Sequence, residues 1–494
     1  MSRTSKALLV ILLALPAARV QAQEARLDYS SPVVRQEMDV LVDRLAPGTT
    51  VALRMKLKQM DSARIADTPF VEVAVEVADA SGCARFEVPV PAEFAGQTWW
   101  LQARLPEGGR FRELEGVPVR FQWPQIVVTG TENGRAVGSR LYATDSLQRP
   151  FVEAERWSFG PGRPGGAVRD ARGTRTFIVT DAENGRLAVY RDGELGGGLI
   201  AEWPIPRDVR GITITPDGRY VLVTSAGAGS ESYLTILDAG AEQSDQIMRS
   251  QILLDPLGPV GGKIAVGPGG LRAFVSVRGV FLREVDLLAG QPGALVTVGG
   301  AAQEVIRDLR IVDGFLYALT ARGDQVTYLT GLELGNLGDL GNLIEEGPDL
   351  NVSSIGVSSV RGHGALLLLN GEGGKVTVID TETMQRTGDL ISVQPGALAL
   401  LLSPDPVRSS GALLYASEGG GSELRPIGFD LFDVGEPVPF PFRARPLPVF
   451  GVSEQVDWFF LAGPGGRAFV VDPDSLRAIY LGLSFQAHSV SVSR

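Results

Sequence analysis

Histidine and cysteine are nearly missing from this sequence of 494 residues, which contains 2 His and 1 Cys. These side chains supply most zinc ligands, thiolate nucleophiles and proton shuttles that work near neutral pH. The single cysteine, Cys83, has no partner for an intramolecular disulfide. The composition therefore disfavours zinc chemistry, cysteine catalysis and a disulfide-stabilised scaffold.

The motifs of several enzyme classes are also absent from the sequence. It contains no H-E-x-x-H, no G-x-x-x-x-G-K-[ST], no D-x-[DN]-x-[DN]-G calcium loop and no G-x-S-x-G at a strand-to-helix turn. Gly-rich stretches occur, but none precedes a predicted helix, so they lack the convergent amides of a phosphate site. We predict no catalytic residue, no cofactor and no metal ligand.

The chain is acidic, with 57 Asp and Glu against 46 Lys and Arg and a formal net charge of -11 at pH 7. An average field of this sign repels nucleic acid and anionic membranes. At 44% hydrophobic and 21% charged residues, the chain is apolar enough to bury large cores, which excludes a disordered protein. We therefore predict a folded protein without a nucleic-acid partner.

The N-terminus has the pattern of a secretory signal peptide. Arg3 and Lys6 precede the apolar run 7–15, and small residues follow up to Ala22. The apolar run is about half of the ~18 residues that a membrane-spanning helix needs. The sequence predicts cleavage after Ala22, a secreted or periplasmic protein, and no transmembrane segment after cleavage.

From Met38 to about Trp123 the sequence shows the period-two alternation of β-strands. The runs Thr50–Leu57 and Val71–Val77 are of this kind, which indicates half-buried strands. The turn sequence 79–82 separates the second run from another at 83–88 and predicts a β-hairpin. We expect a small β-sandwich, loosely similar to immunoglobulin-like modules although it lacks their Cys, Trp and Cys framework.

From residue 124 to the C-terminus the sequence repeats. Short β-rich runs end in an acidic residue at intervals of 42 to 50 residues: Asp145, Asp192, Asp238, Asp286, Glu333, Asp380, Asp430 and Asp472. Repeats of about this length with four strands each are typical of β-propeller blades. The acids fall after the third strand of each repeat, where Asp caps backbone amides, so we interpret them as structural.

The repeats resemble a known family. Residues 177–181 (FIVTD) and 220–224 (YVLVT), together with the turn 216–218 (PDG) and residues 376–380 (VTVID), are similar to the YVTN-type β-propeller repeats of exported bacterial proteins. The resemblance extends from about residue 126 to the C-terminus, and the fifth and seventh repeats depart from it. It implies an exported bacterial propeller protein.

The two ends of this region complement each other. The first repeat has three strands with no first strand before them, while residues 488–493 form a strand left over after the last repeat. A C-terminal strand that completes the N-terminal blade would close the ring. We expect an all-β chain with a signal peptide (1–22), an N-terminal small β-sandwich (23–123) and an eight-bladed β-propeller (124–494) closed by the C-terminal strand; seven blades are the alternative.

Three Arg-Asp-x-Arg tetrads are candidates for binding, at residues 169–172, 207–210 and 307–310. Arginine holds carboxylates and phosphates through two parallel hydrogen bonds, so tetrads that converge at the channel mouth would bind an anion. The tetrads occupy different positions in their repeats, which favours surface ion pairs instead. The anion-binding candidates are Arg207, Asp208, Arg210, Arg307 and Asp308.

The two histidines fall in different elements, His363 in a glycine-flanked turn and His488 in the closing strand. A repetitive fold without clustered nucleophiles, bases or metal ligands favours an exported, non-catalytic binding or scaffold protein that presents propeller loops to a protein or glycan partner. The alternative is a lactonase-like or lyase-like propeller enzyme, which this fold can host. Such an enzyme would use Arg, Asp and Glu around the channel and at most one His.

Overall fold

The structure is a computed structural model, and the chain divides into two compact units, one with most of the described residues up to Pro118 and one with those from Val119 onward. The predicted signal peptide lies outside the described residues. These are 26–29, 36–57, 71–80, 82–90, 98–107, 110–114, 117–120, 125–143, 151–170, 174–191, 198–229, 231–241, 243–258, 261–267, 269–298, 305–312, 315–322, 325–334, 354–360, 363–381, 386–402, 410–417, 420–429, 431, 433–440, 442–447, 449–450, 458–473 and 475–492.

The described residues before position 121 are almost entirely strands. They form one sheet in the order β1-β2-β5 and a second in the order β4-β3-β6-β7, in which β8 pairs with β6. The strands are β1 (Arg26–Tyr29), β2 (Gln36–Asp43), β3 (Thr50–Leu57), β4 (Val71–Val77), β5 (Ala84–Val90), β6 (Thr98–Glu107), β7 (Arg110–Glu113) and β8 (Val117–Arg120).

The alternation of β3 buries one of its faces, as the sequence predicts, because Leu53 and Met55 are 0% and 2% exposed. The prediction that β4 is half-buried is wrong. Val75 and Val77 of β4 are 50% and 57% exposed, and its glutamates are exposed as well. Among the described strands β4 pairs only with β3, so it lies at a sheet edge where fewer side chains surround it.

The predicted hairpin between β4 and β5 is also wrong, because the two strands lie in different sheets. The turn itself forms: the Gly82 amide donates to the Asp79 carbonyl at 3.0 Å, and Gly82 has a φ of 78°. The Leu45 amide then donates to the Gly82 carbonyl at 3.0 Å. The turn is therefore bonded to the segment before β3, and the chain passes from one sheet to the other.

The described residues from 125 to 492 form eight further sheets, numbered here in chain order. Sheet 1 contains β9 (Gln125–Glu132), β10 (Arg135–Ala143) and β11 (Phe151–Pro161); sheet 2 contains β12 (Ala167–Arg169), β13 (Arg175–Asp181), β14 (Arg186–Arg191) and β15 (Leu199–Pro204); sheet 3 contains β16 (Val209–Ile214), β17 (Tyr220–Ala226), β18 (Ser232–Asp238) and β19 (Met248–Asp255), with the helical turn α1 (Ser244–Ile247); sheet 4 contains β20 (Ile264–Val266), β21 (Arg272–Ser276), β22 (Phe281–Asp286) and β23 (Gln291–Thr297).

The second half of this region continues the pattern. Sheet 5 has three described strands, β24 (Val305–Val312), β25 (Phe315–Arg322) and β26 (Gln325–Glu333); sheet 6 contains β27 (Ser354–Val360), β28 (His363–Asn370), β29 (Lys375–Asp380) and β30 (Arg386–Ser392); sheet 7 contains β31 (Ala397–Leu402), β32 (Ser410–Ala416), β33 (Ser422–Gly428), β34 (Asp433–Val434) and β35 (Val438–Phe440); sheet 8 contains β36 (Arg445–Pro446), β38 (Phe459–Ala462), β39 (Ala468–Val471) and β40 (Ala478–Tyr480), with a 3₁₀ turn at Pro464–Gly466.

Two late strands belong to sheet 1. These are β41 (Gln486–Val492), which pairs antiparallel with β9, and β37 (Val449–Phe450), which pairs parallel with β41. The order of the sheet is β11-β10-β9-β41-β37, so β41 lies where the other sheets have their first strand. The C-terminal strand therefore completes the sheet that contains β9, β10 and β11, as the sequence predicts.

Apolar side chains pack between neighbouring sheets. Separate cores join sheets 1 and 2, 2 and 3, 3 and 4, 4 and 5, 6 and 7, and 7 and 8. Between sheets 5 and 6 the buried Tyr317 hydroxyl donates to the Thr381 carbonyl at 3.1 Å. A further core packs Phe460 and Val470 of sheet 8 against Val128 and Val490 of sheet 1. The last sheet is thus in contact with the first.

Three of the repeated acids, Asp238, Asp286 and Asp472, cap turns. The Asp238 carboxylate accepts from the Gly240 amide at 2.9 Å, and that of Asp286 accepts from the Ala289 amide at 2.8 Å. Asp472 likewise accepts from the Ser475 amide at 2.8 Å. The structural interpretation of these three acids is confirmed. Asp145, Asp192 and Asp430 lie outside the described residues.

Candidate functional site

The first strands of the sheets surround a common centre. β12 contacts β41 on one side and β16 on the other, β16 contacts β20, and β20 contacts β24. Successive strands of a sheet run in opposite directions, so the connections into first strands lie at the same end as the turns between second and third strands. We call this end the first-strand face; β41 counts as the first strand of sheet 1.

Buried hydroxyls near the ends of second strands fix the backbone of this face. Thr129 Oγ1 donates to the Gly165 carbonyl at 2.8 Å, and Ser276 Oγ donates to the Lys263 carbonyl at 3.3 Å. Thr224, the threonine of the YVLVT run, has the same position and donates to a carbonyl of β16 at 3.4 Å. The hydroxyl at this point of the repeat therefore holds the connection that leads into a first strand.

The first group of predicted anion-binding residues lies on this face, where the chain enters β16. Arg210 Nη2 pairs with Asp208 Oδ2, and both side chains are about half exposed. Asp208 has a φ of 52°, and its amide donates to the Glu183 carbonyl at 3.3 Å. Arg207 is exposed. Arg210 thus has a carboxylate partner within its own tetrad.

The second group lies within β24. Arg310 Nη2 is 3.3 Å from Asp308 Oδ2, and Arg307 is exposed at a bulge of the strand. Asp170 of the remaining tetrad follows β12 at the opposite end of its sheet, where its buried carboxylate accepts from the Thr174 amide at 2.7 Å. The structure therefore does not bring the three tetrads together, since they belong to sheets 2, 3 and 5 and to both ends of the strands.

Another set of basic side chains does follow this face continuously. Each lies at the beginning of a first strand or in the connection before it, on sheets 8, 1, 2, 3 and 4 in turn. We call this set the basic arc; it consists of Arg445, His488, Arg163, Arg207 and Lys263. The arginines and the lysine are exposed, and among the described residues none of them forms an ion pair. The arc therefore carries uncompensated positive charge.

Three hydrogen bonds hold the backbone beside Arg163. The Ala182 amide donates to the Arg163 carbonyl at 2.8 Å, and the Gly165 amide donates to the Val179 carbonyl at 2.9 Å. Thr129, which donates to Gly165, has its hydroxyl 2.7 Å from the hydroxyl of Ser489 in β41. The connection that carries Arg163 is thus tied to both the second strand of its own sheet and the closing strand.

His488 lies in the same part of the arc. Its Nε2 is 3.2 Å from Thr131 Oγ1 of β9, and the side chain is half-buried. Burial lowers the pKa of His488, and the positive charges of Arg163 and Arg445 lower it further. The imidazole and the two guanidinium groups are therefore electrostatic neighbours, although they come from three different sheets.

The acids nearest this part of the face are already engaged. Glu132 pairs with Arg156 at 2.5 Å and accepts from the Ser484 hydroxyl at 3.1 Å, which together lower its pKa. Asp181 accepts from the Glu183 amide at 3.1 Å and from Asn184 Nδ2 at 2.7 Å. These contacts leave the charges of Arg163 and Arg445 available to a ligand.

Sequence reasoning missed Arg163, Lys263 and Arg445. The tetrads share a sequence motif, whereas the residues of the basic arc share only a position relative to the first strand. An alignment of the repeats by their first strands would have found them. Of the two histidines, His488 lies in the closing strand as predicted, and His363 is the first residue of β28.

The described residues contain no group of three or more His, Cys, Asp or Glu side chains that could hold a metal ion. The described residues of the Gly-rich stretches, 227–229, 371–374 and 420–421, lie between second and third strands, as predicted. Within the described part of the chain, no helix is long and apolar enough to cross a membrane.

An all-β chain with many four-stranded antiparallel sheets, whose first strands face a common centre, defines a β-propeller. Solved structures agree with this class. The dihydro-heme d1 dehydrogenase NirN, solved in complex with DHE, is 16% identical with a TM-score of 0.55, and the match covers 75% of this chain and 76% of that one. Apo AztD from Citrobacter koseri is 14% identical with a TM-score of 0.51, over 75% and 97% of the two chains.

These likenesses show the fold alone, since the identities are low. The searches of protein-family models and of curated proteins gave no significant match to this chain. The chain is thus a β-propeller protein.

Proposed function

We propose that this protein is an exported, non-catalytic binding or scaffold protein that presents the first-strand face of its propeller to a protein or glycan partner. In this proposal an N-terminal immunoglobulin-like β-sandwich precedes an eight-bladed propeller of YVTN type, and the signal peptide is cleaved after Ala22. The N-terminal pattern of Arg3, Lys6 and the apolar run 7–15 supports export.

Pairing and packing support eight blades closed by the C-terminal strand. β41 supplies the first strand of sheet 1, whose other described strands are β9, β10, β11 and the short β37 that pairs with β41. A single core then contains Phe485 and Val490 near the C-terminus together with Phe460 of sheet 8. Each of the eight sheets is joined to the next by a core or by the Tyr317 hydrogen bond, so a ring of eight accounts for all of them.

The observation that carries the binding proposal is the basic arc. The chain has a formal net charge of -11, yet exposed cations without ion pairs among the described residues lie on one face at sheets 8, 2, 3 and 4, with His488 of sheet 1 between them. Clustered charge of one sign on a rigid surface attracts a partner of the opposite sign and speeds its association. The face therefore suits a partner that carries acidic groups.

The test uses two acidic polymers of defined chemistry, poly-L-glutamate for a protein surface and polygalacturonate for a glycan. We expect immobilised protein to bind at least one of them at low ionic strength and to release it as salt is added, because screening weakens exposed charge pairs. The double variant Arg207→Glu with Lys263→Glu should lose most of this binding in biolayer interferometry.

The matched control is Arg191→Glu with Arg477→Glu, which makes the same change in charge at exposed positions outside the arc. This control should bind like the unmodified protein. If the unmodified protein binds neither polymer at low salt, or if both double variants bind equally well, the proposed function is wrong.

A further inference from the structure

We propose that Arg163, Arg445 and His488 form a subsite that binds a carboxylate group. The inference rests on the proposed function only in its use of the first-strand face. It deepens that proposal by naming the chemical group that is recognised and the place where it binds.

The three residues lie at neighbouring first strands because the C-terminal strand pairs with the first sheet of this region. Arg163 precedes the first strand of sheet 2, Arg445 begins the first strand of sheet 8, and His488 lies in β41, the first strand of the sheet between them. β12 and β41 are in contact, and the core shared by sheets 8 and 1 fixes the other side. The subsite thus lies where the C-terminal strand joins the ring.

The three residues differ in burial in a way that suits ligand binding. His488 is half-buried and bonded to Thr131, so it is held in place, whereas Arg163 and Arg445 are exposed. The guanidinium group of a solvent-exposed arginine can reorient to form two parallel hydrogen bonds with a carboxylate. The arrangement offers an imidazole held by Thr131 and an exposed arginine at the first strand of each neighbouring sheet.

Among the described residues of the strands that contact β41, no unpaired acid faces these arginines. β38 and β37, which also contact β41, carry no titratable side chain, and Arg169 of β12 has a fixed positive charge. β9 contributes Glu132, which is paired with Arg156. The lowered pKa of His488, caused by burial and then by the two arginines, agrees with a local excess of positive charge.

A bound carboxylate would offset that charge and stabilise the protonated imidazole, so it should raise the pKa of His488. The chain contains 2 His, which makes this measurable by NMR on the untagged full chain labelled at histidine ¹³Cε1. His363→Gln assigns the two signals. We expect tricarballylate to raise the pKa of His488 and to leave that of His363 unchanged, with sodium chloride of equal ionic strength as the reference.

Hexaglutamate provides the second arm, because the carboxylate can belong to a free organic acid or to an acidic side chain of a partner. A response to tricarballylate alone identifies the free acid as the source, and a response to hexaglutamate alone identifies the partner's side chains. The variant Arg163→Gln with Arg445→Gln should weaken the binding of the effective ligand at least about tenfold, since each charge-assisted hydrogen bond contributes to the binding free energy. Arg191→Gln is the control and should bind normally.

Two results would overturn the subsite. One is a His488 pKa that neither probe changes at saturation, and the other is a double variant that binds as tightly as the unmodified protein. The substituted arginines are exposed, so loss of binding with an unchanged melting curve is not a folding defect. If polymer binding through Arg207 and Lys263 persists while the pKa of His488 does not respond, the subsite is wrong and the proposed function stands. If the pKa of His488 responds while polymer binding through Arg207 and Lys263 is absent, the proposed function is wrong and the subsite stands.

Discussion

At the scale of single residues, buried charges that stabilise the fold are distinct from the exposed charges of the proposed subsite. Arg140 is buried and its guanidinium donates to Glu155 at 2.8 and 3.0 Å and to Gln125 at 3.1 Å. Removal of one partner from such a buried pair typically costs about 3–5 kcal/mol, because a charge is left without compensation. Arg163 and Arg445 are exposed and carry no such cost, so their charge is available for binding.

His488 should make the stability of the protein depend on pH. Its folded pKa is lowered by burial and by Arg163 and Arg445, so the unfolded chain binds a proton more readily than the folded chain. The contribution is therefore fully present above the unfolded pKa of about 6.5 and is lost as pH falls through the folded pKa. Urea unfolding at several pH values between 7.5 and 5 should show this decline.

The variant His488→Gln isolates the effect of this one group. It cannot be protonated, so its unfolding free energy should fall less steeply than that of the unmodified protein over the same range. All other titrating groups are common to both proteins, and their effects cancel in the difference. Equal slopes for the two proteins would show that His488 does not couple protonation to folding.

At the scale of the element, the tight turns between second and third strands determine how a sheet connects to its neighbour. Gly185 ends such a turn after β13, with a φ of 73°. Its carbonyl accepts from the Ile205 amide at 2.9 Å, and its amide donates to the Asp181 carbonyl at 3.1 Å. The turn therefore holds the connection that carries Arg207 into β16.

Gly185→Ala should disturb this connection. A Cβ at Gly185 would lie 2.2 Å from the Ile205 carbonyl oxygen and 2.5 Å from that of Pro206, so the backbone has to move. Gly134→Ala is the matched control, with a φ of 76° and no atom within 4 Å of the added Cβ. We expect about 1–2 kcal/mol of conformational cost at Gly134 and about 1–3 kcal/mol more at Gly185.

Denaturant unfolding of the two glycine variants measures this difference directly. Because both positions require a left-handed backbone, the difference between them reports the steric contact alone. Equal destabilisation by the two substitutions would mean that the connection adapts without cost.

The elements also show how far the sequence can be interpreted. In the third repeat the sequence pattern predicts strands at 211–215, 220–224, 233–237 and 246–253. The first three agree closely with β16, β17 and β18, because alternation and turn residues act locally, whereas the fourth begins only at Met248, after α1. The same local pattern at β4 and β5 could not reveal that the strands pair in different sheets. Alternation reports which residues share a face, and the choice of a pairing partner depends on contacts made elsewhere in the chain.

The candidate site was harder to predict for the same reason. Arg163 and His488 are distant in sequence, and the pairing of β41 with β9 places the strand of His488 in sheet 1, next to the sheet that Arg163 precedes. The predicted tetrads shared a motif but lie at different ends of their sheets. A site assembled from equivalent positions of a repeat leaves no contiguous motif in the sequence.

At the scale of the whole molecule, the closing strand contributes both to the stability of the fold and to the proposed carboxylate subsite. β41 covers the edge of β9, contributes Ala487 and Val490 to the core between sheets 8 and 1, and carries His488 into the basic arc. An uncovered β9 would expose its backbone groups and part of that core. Closure of the ring should therefore be required both for a stable fold and for the proposed carboxylate subsite.

Truncation after Phe485 tests this dependence. The truncated protein loses the strand pairing and the burial of Ala487 and Val490, so its Tm should fall by at least about 5 °C, even though each kcal/mol shifts Tm only modestly in a protein of this size. A control that ends after Val492 keeps all of β41 and should melt like the full chain. The propeller should also aggregate more readily without β41, since an open strand edge pairs with other chains. A melting curve unchanged by the loss of residues 486–494 would reject closure by the C-terminal strand.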